Sequence, residues 1–161
     1  MQRTTIALAG AAFFAAASTA QAGSEIQPRD GWIITEIPHV YADTYPIVKE
    51  VVKASPLNVV TRASATVGAK SLGRTIPGNM VVGLYGPQFA VRMLDASVQA
   101  GIEAPLRLYI TESEAGAVTL SYKQPSVVFG AYEDDGGEAL MTMAAELDQI
   151  FADIVQAVVN H

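Results

Sequence analysis

The sequence predicts an α+β fold, a single mostly antiparallel sheet with helices packed on it, and three observations carry that expectation. Short apolar segments bounded by Gly and Pro alternate with segments whose apolar residues recur every three or four positions. Residues 106–111 and 118–122 alternate around a link containing Gly116, the signature of a hairpin. The C-terminal run Leu140, Met143, Leu147, Ile150, Phe151, Ile154, Val155, Val158 describes one apolar stripe of a helix. Strands and helices of this kind bury their apolar faces by stacking as layers around one core.

The first residues of the 161-residue chain read as a leader. Arg3 precedes an apolar run from Ile6 to Ala17, and Ala20-Gln21-Ala22 gives the small-x-small pattern of a signal-peptide cleavage site. The run is shorter than the roughly 20 apolar residues that cross a bilayer. We expect a signal peptide at 1–22, cut after Ala22, a flexible lead-in at 23–30 and a single α+β domain at 31–161. The destination is the periplasm or the exterior, and no membrane association remains after cleavage.

Gly31 to Ile37 alternates as a first strand, closed by Pro38. Asp43 or Thr44 can cap a helix with Pro46 in its first turn, and Ile47, Val48, Val51 and Val52 follow at helical spacing until Pro56. A second strand covers Asn58 to Val67. The small and polar stretch Ser64 to Gly78 reads as a loop, or in part as a short helix at Ala69 to Leu72. Asn79 to Tyr85 is nearly continuous in apolar residues, which predicts a strand buried on both faces. Phe89 to Ala100 forms a helix stopped by Gly101. In the hairpin, Leu106, Leu108 and Ile110 face one way and Arg107 and Tyr109 the other; Val118, Leu120 and Tyr122 oppose Thr119, Ser121 and Lys123. Pro125 to Tyr132 is an apolar connection, and Glu133 to Glu138 an acidic, Gly-rich loop before the last helix.

Composition excludes several functions. Half the residues are hydrophobic and 16% charged, which suits a globular core. No cysteine is present, so disulfides, thiol nucleophiles and cysteine-ligated metal centres are out. The net charge of -6 argues against a nucleic-acid partner, because phosphate backbones require clustered cations. Neither G-x-S-x-G nor a Ser-x-x-Lys nucleophile pattern occurs, and the loop carrying Lys70 and Arg74 lacks phosphate-cradling glycine spacing.

From Asn79 to Tyr122 the chain resembles domain-of-unknown-function family 302. The residues that carry the likeness are the apolar strand ending in Gly86-Pro87-Gln88, the helix after it, the Ala104-Pro105-Leu106 start of the next strand, the hairpin tip with Gly116, and Ser121-Tyr122 before Pro125. Tyr41 to Val60 resembles that family's first helix and second strand, so the likeness covers about Asp30 to Val158. The family usually has Gly-Asn-Pro where this chain has Gly86-Pro87-Gln88. The resemblance implies a TATA-binding-protein-like β-α-β-β-β-β-α arrangement with helices on one face of the sheet, and homodimerisation. It implies no chemistry.

Candidate residues are few. His39, after Pro38, offers an imidazole for a base or a metal; with Met80, Met93, Met141 and Met143 it suggests a weak copper carrier, but the methionines sit at core spacing and we read His39 as a polar loop residue. His161 is read as a frayed terminus. Glu133-Asp134-Asp135 and Glu138 lack calcium-loop spacing and suit a helix N-terminus. Glu112 and Glu114 read as solvated hairpin-tip acids. One group keeps interest: Arg62, Tyr85, Arg107, Tyr109 and Tyr122 lie on or beside strands. An uncovered face bearing Arg and Tyr can bind a small anionic or aromatic ligand or form a dimer interface. We expect an exported binding or assembly module that self-associates through its sheet or a sheet edge, with no catalytic residue, cofactor or metal. The alternative is an enzyme or redox-accessory protein holding a small ligand over this face. A ligand site should be concave, with two convergent polar groups and an accessible Arg107; a dimer face should be flat and apolar.

Overall fold

The computed structural model describes residues 26–161. The signal peptide read at 1–22 lies outside the described residues. Five strands form one antiparallel sheet: β1 (Trp32–Ile37), β2 (Asn58–Ser64), β3 (Asn79–Tyr85), β4 (Leu106–Glu112) and β5 (Val118–Lys123), ordered β1-β5-β4-β3-β2. Three long helices, α1 (Tyr41–Lys53), α3 (Pro87–Ala96) and α5 (Glu133–Val159), cover one face. Two short ones, α2 (Ala65–Ser71) and α4 (Pro125–Gly130), and a 3-10 turn at Gln99–Glu103 complete the chain.

The core follows from the two periodicities. Val82, Leu84, Leu108, Ile110, Val118 and Leu120 alternate inward from β3, β4 and β5. They meet Val48 and Val52 of α1, Phe89 and Met93 of α3, and Met143, Leu147, Phe151 and Ile154 of α5. Burying each of these large side chains contributes about 1.5–3 kcal/mol.

Several boundaries differ from the sequence reading. Helix α1 begins at Tyr41, so Pro46 sits beyond its first turn; the Thr44 hydroxyl instead donates to the Val40 carbonyl at 3.1 Å. Strand β2 stops at Ser64 because that side chain caps α2, accepting from the Val67 N–H at 3.3 Å. Helix α3 ends at Ala96, and the chain tightens into the 3-10 turn before an Ala104–Pro105 cis peptide. Gly86 and Pro87 do make a turn, as the N-cap and first residue of α3. The apolar connection after β5 is helical, as α4. The acidic segment is a helical turn that breaks at Gly137, whose φ of 56° belongs to the left-handed region where glycine is favoured. Strand β3 is not buried throughout on both faces: on its outward side Val81 and Tyr85 stay partly exposed while Gly83 is covered by Thr61 and Pro105.

Candidate functional site

The face without helices is built by alternation. Strand β1 presents Trp32, Ile34 and Glu36; β5 presents Lys123, Ser121 and Thr119; β4 presents Arg107, Tyr109 and Thr111; and β3 presents Gly83, Val81 and Asn79. Register sets them in rows. Trp32 pairs with Lys123, and Arg107 with Gly83. The middle row runs Ile34–Ser121–Tyr109–Val81.

Large residues stand at the rim of this face and small ones at its floor. Ser121 is fully buried between Ile34 and Tyr109. The result is a concavity of about 410 Å³ whose walls include Trp32, Arg107, Tyr109, Lys123 and Asn79, with Val128 of α4 at one end. Asn79 Nδ2 donates to the Tyr109 hydroxyl at 2.5 Å, and Lys123 Nζ lies 5.8 Å from the centre of the Trp32 ring, a cation–π distance. Arg107 is exposed and makes no hydrogen bond or ion pair among the described residues. A separate, smaller apolar cleft of about 30 Å³, lined by Leu84, Phe89, Met93, Phe129 and Phe151 among others, has room for little more than a water.

The five residues singled out from sequence divide between the two faces. Arg107, Tyr109 and Tyr85 lie on the open one. The Tyr122 ring turns to the helix side, 4% exposed and 5.2 Å from Phe151, so Tyr122 borders the hollow from beneath the sheet rather than from its open face. Burial pushes its hydroxyl pKa above 10.0, and the charge of Asp148 adds to the shift. Arg62 also turns toward the helices, with its guanidinium 4.7 Å from the Tyr45 ring. A bulge puts it there. Register shifts between Val59 and Thr61, and the odd residue, Val60, reverses the alternation after it.

The other candidates are tied into the scaffold. His39 Nε2 donates to the Val158 carbonyl at 2.7 Å, a bond that holds the β1–α1 connection to the end of α5. His161 approaches Glu50 at 3.6 Å instead of fraying free. Met93 and Met143 are core residues. Glu112 is half-buried and accepts from the Gly78 N–H at 2.9 Å, so it is a structural acceptor rather than a solvated tip acid. Asp135 accepts from the Ser97 hydroxyl, and the Tyr132 hydroxyl donates to Glu103 at 2.8 Å. That bond raises the Tyr132 pKa, with smaller contributions from burial and from the Glu103 charge.

Trp32, Asn79 and Lys123 were missing from the sequence-derived group. Alternation alone places Lys123 on the outward side of β5. Its meeting with Trp32 depends on β1 pairing with β5, which local pattern does not encode.

Comparison with known proteins places these features in context. The family described as "Domain of unknown function DUF302" matches residues 33–158. The fold is similar to the crystal structure of an uncharacterized conserved DUF302 protein from Bacillus stearothermophilus, with a TM-score of 0.72 and 18% sequence identity over 81% of this chain and 99% of that one. Two proteins named fluoride-specific ion channel FluC 1, from Brucella suis biovar 1 (strain 1330) and Brucella abortus biovar 1 (strain 9-941), are 27% identical to it over 96 residues, 60% of this chain. The chain spans only 38% and 36% of those two proteins. Among the described residues no helix is long and apolar enough to cross a membrane.

Proposed function

The chain belongs to the DUF302 family, a domain of unknown function, and on that premise we propose that it is an exported binding module whose uncovered sheet face receives a small ligand. One observation carries the reading: the open face is concave, and Arg107, Lys123, Asn79 and Tyr109 converge on its 410 Å³ hollow beside Trp32. Sites for small molecules have this character, an apolar and aromatic surface with a few placed polar groups. The lining of aromatic, aliphatic, Arg, Lys and Asn side chains suits binding of a small molecule. The apolar run at 6–17 with Ala20-Gln21-Ala22 after it supports export, and with it a periplasmic or secreted location.

The chain has one tryptophan, and it stands in the hollow. Its emission is therefore a direct reporter. A ligand seated there shifts or quenches Trp32 fluorescence saturably, and native mass spectrometry of protein from the exported fraction finds a co-purifying small molecule. Unchanged emission across a panel of charged and neutral ring compounds, with no co-purifying species, sinks the reading.

A second reading, self-association through this face, is favoured by the apolar row Ile34, Tyr109 and Val81. It requires a solution mass twice the monomer, returning to the monomer in Val81→Glu.

A further inference from the structure

We infer that the hollow selects a planar ring bearing an oxyanion, a carboxylate or a phosphate; the inference rests on the reading of the hollow as a receptor and specifies what it receives.

Charge is the first argument. The chain carries 16 acids against 10 Lys and Arg, yet this face sets two cations side by side. Lys123 and Arg107 follow the Leu108–Tyr122 pair on adjacent strands, so the register brings them opposite each other. Side chains so placed stand about 4.5–5.5 Å apart at Cβ, and like charges there repel. Neither makes an ion pair among the described residues. The acid presented by β1, Glu36, pairs with Thr119 at the far end of the face. Nothing in the fold requires this juxtaposition. A bound oxyanion relieves it, and the guanidinium fork of Arg107 suits the two oxygens of a carboxylate or phosphate.

Shape is the second argument. Trp32 on β1 and Tyr109 on β4 flank β5 on a diagonal, two strand spacings across and two residues along, or about 12 Å between backbones. The residue between them on the Tyr109 row is Ser121, buried and small. A gap of that width admits one flat ring at about the 4.5–7 Å centroid spacing that aromatic pairs adopt. The Asn79–Tyr109 hydrogen bond fixes one wall, and Lys123 over Trp32 puts a cation at the other.

The test titrates the full leader-free chain with four probes, following Trp32 emission and heat: benzoate, phenyl phosphate, benzyl alcohol and inorganic phosphate. Benzoate or phenyl phosphate is expected to bind at least about tenfold tighter than benzyl alcohol, the ring without charge, and than inorganic phosphate, the charge without ring. Their relative order tells carboxylate from phosphate. Arg107→Gln and Lys123→Gln each weaken the charged probes about tenfold and weaken benzyl alcohol far less. Circular dichroism controls for folding, and both residues are exposed, so the variants keep the core intact. Equal binding of charged and neutral rings, or wild-type affinity in Arg107→Gln, overturns the anion inference while the receptor reading survives. If no ring of either kind perturbs Trp32 or releases heat, the receptor reading itself falls, and the inference with it.

Discussion

The amide of Asn79 and the hydroxyl of Tyr109 are bonded at 2.5 Å on a diagonal of the β3–β4 ladder, since Asn79 pairs with Thr111 and Val81 with Tyr109. This bond holds the Tyr109 ring upright at the rim of the hollow. Tyr109→Phe removes it and frees the ring to tilt. The expected loss is about 0.5–1.5 kcal/mol, the net worth of one hydrogen bond, read as a lower urea midpoint with an unchanged slope.

Tyr41 presents the opposite case. Its hydroxyl is buried with no hydrogen-bond partner, while its ring lies on the backbone of Gly78. Tyr41→Phe keeps the ring and discards the orphan, so stability should be unchanged or higher by about 1 kcal/mol. Gly78→Ala should do the reverse, because a Cβ there falls 2.3 Å from the Tyr41 ring. Thermal melts of the two variants should move apart.

Gly83 lets Thr61 and Pro105 close over the outer face of the sheet. An added Cβ would sit 2.1 Å from Thr61 Oγ1 and 3.0 Å from Pro105 Cγ. Gly83→Ala should therefore cost about 1 kcal/mol, the low end of overpacking, since Thr61 on an edge strand can rotate away. Thr61→Ala in the same chain should recover most of the loss. Chemical denaturation of the single and double variants measures the recovery as a coupling between the two sites.

Alkaline pH should unfold the protein sooner than neutral pH. Tyr122 and Tyr132 both hold their protons more tightly when folded than the ordinary value of 10.0. Their contribution is complete below pH 10 and declines as pH rises above it, because the unfolded chain then releases protons that the folded one keeps. Urea midpoints at pH 8 and pH 10.5 should show the decline, and Tyr122→Phe should flatten it in part, Tyr132 supplying the rest.

Much of this architecture is legible along the chain. The faces of β4 and β5 follow from strict alternation, and the stripe on α5 from its spacing of threes and fours. What stayed hidden depends on one added residue or on distant pairing. The single bulge residue Val60 turns Arg62 from the open face to Tyr45, and no local pattern announces it. Val81 reads as buried because it is apolar, yet it fronts the hollow. The alliance of Trp32 with Lys123 awaits a partner far along the chain.

That distant pairing has a consequence for how the molecule is made. The first strand finds its place only against the last, from Trp32↔Lys123 to Ile37↔Val118. A nascent chain that has reached α3 holds an edge with no neighbour to receive it. Assembly therefore waits for the C-terminal half, and long-range closure of this kind slows the search for the native state. Any truncation before residue 118 should strand β1 and leave an adhesive fragment in place of a smaller working protein.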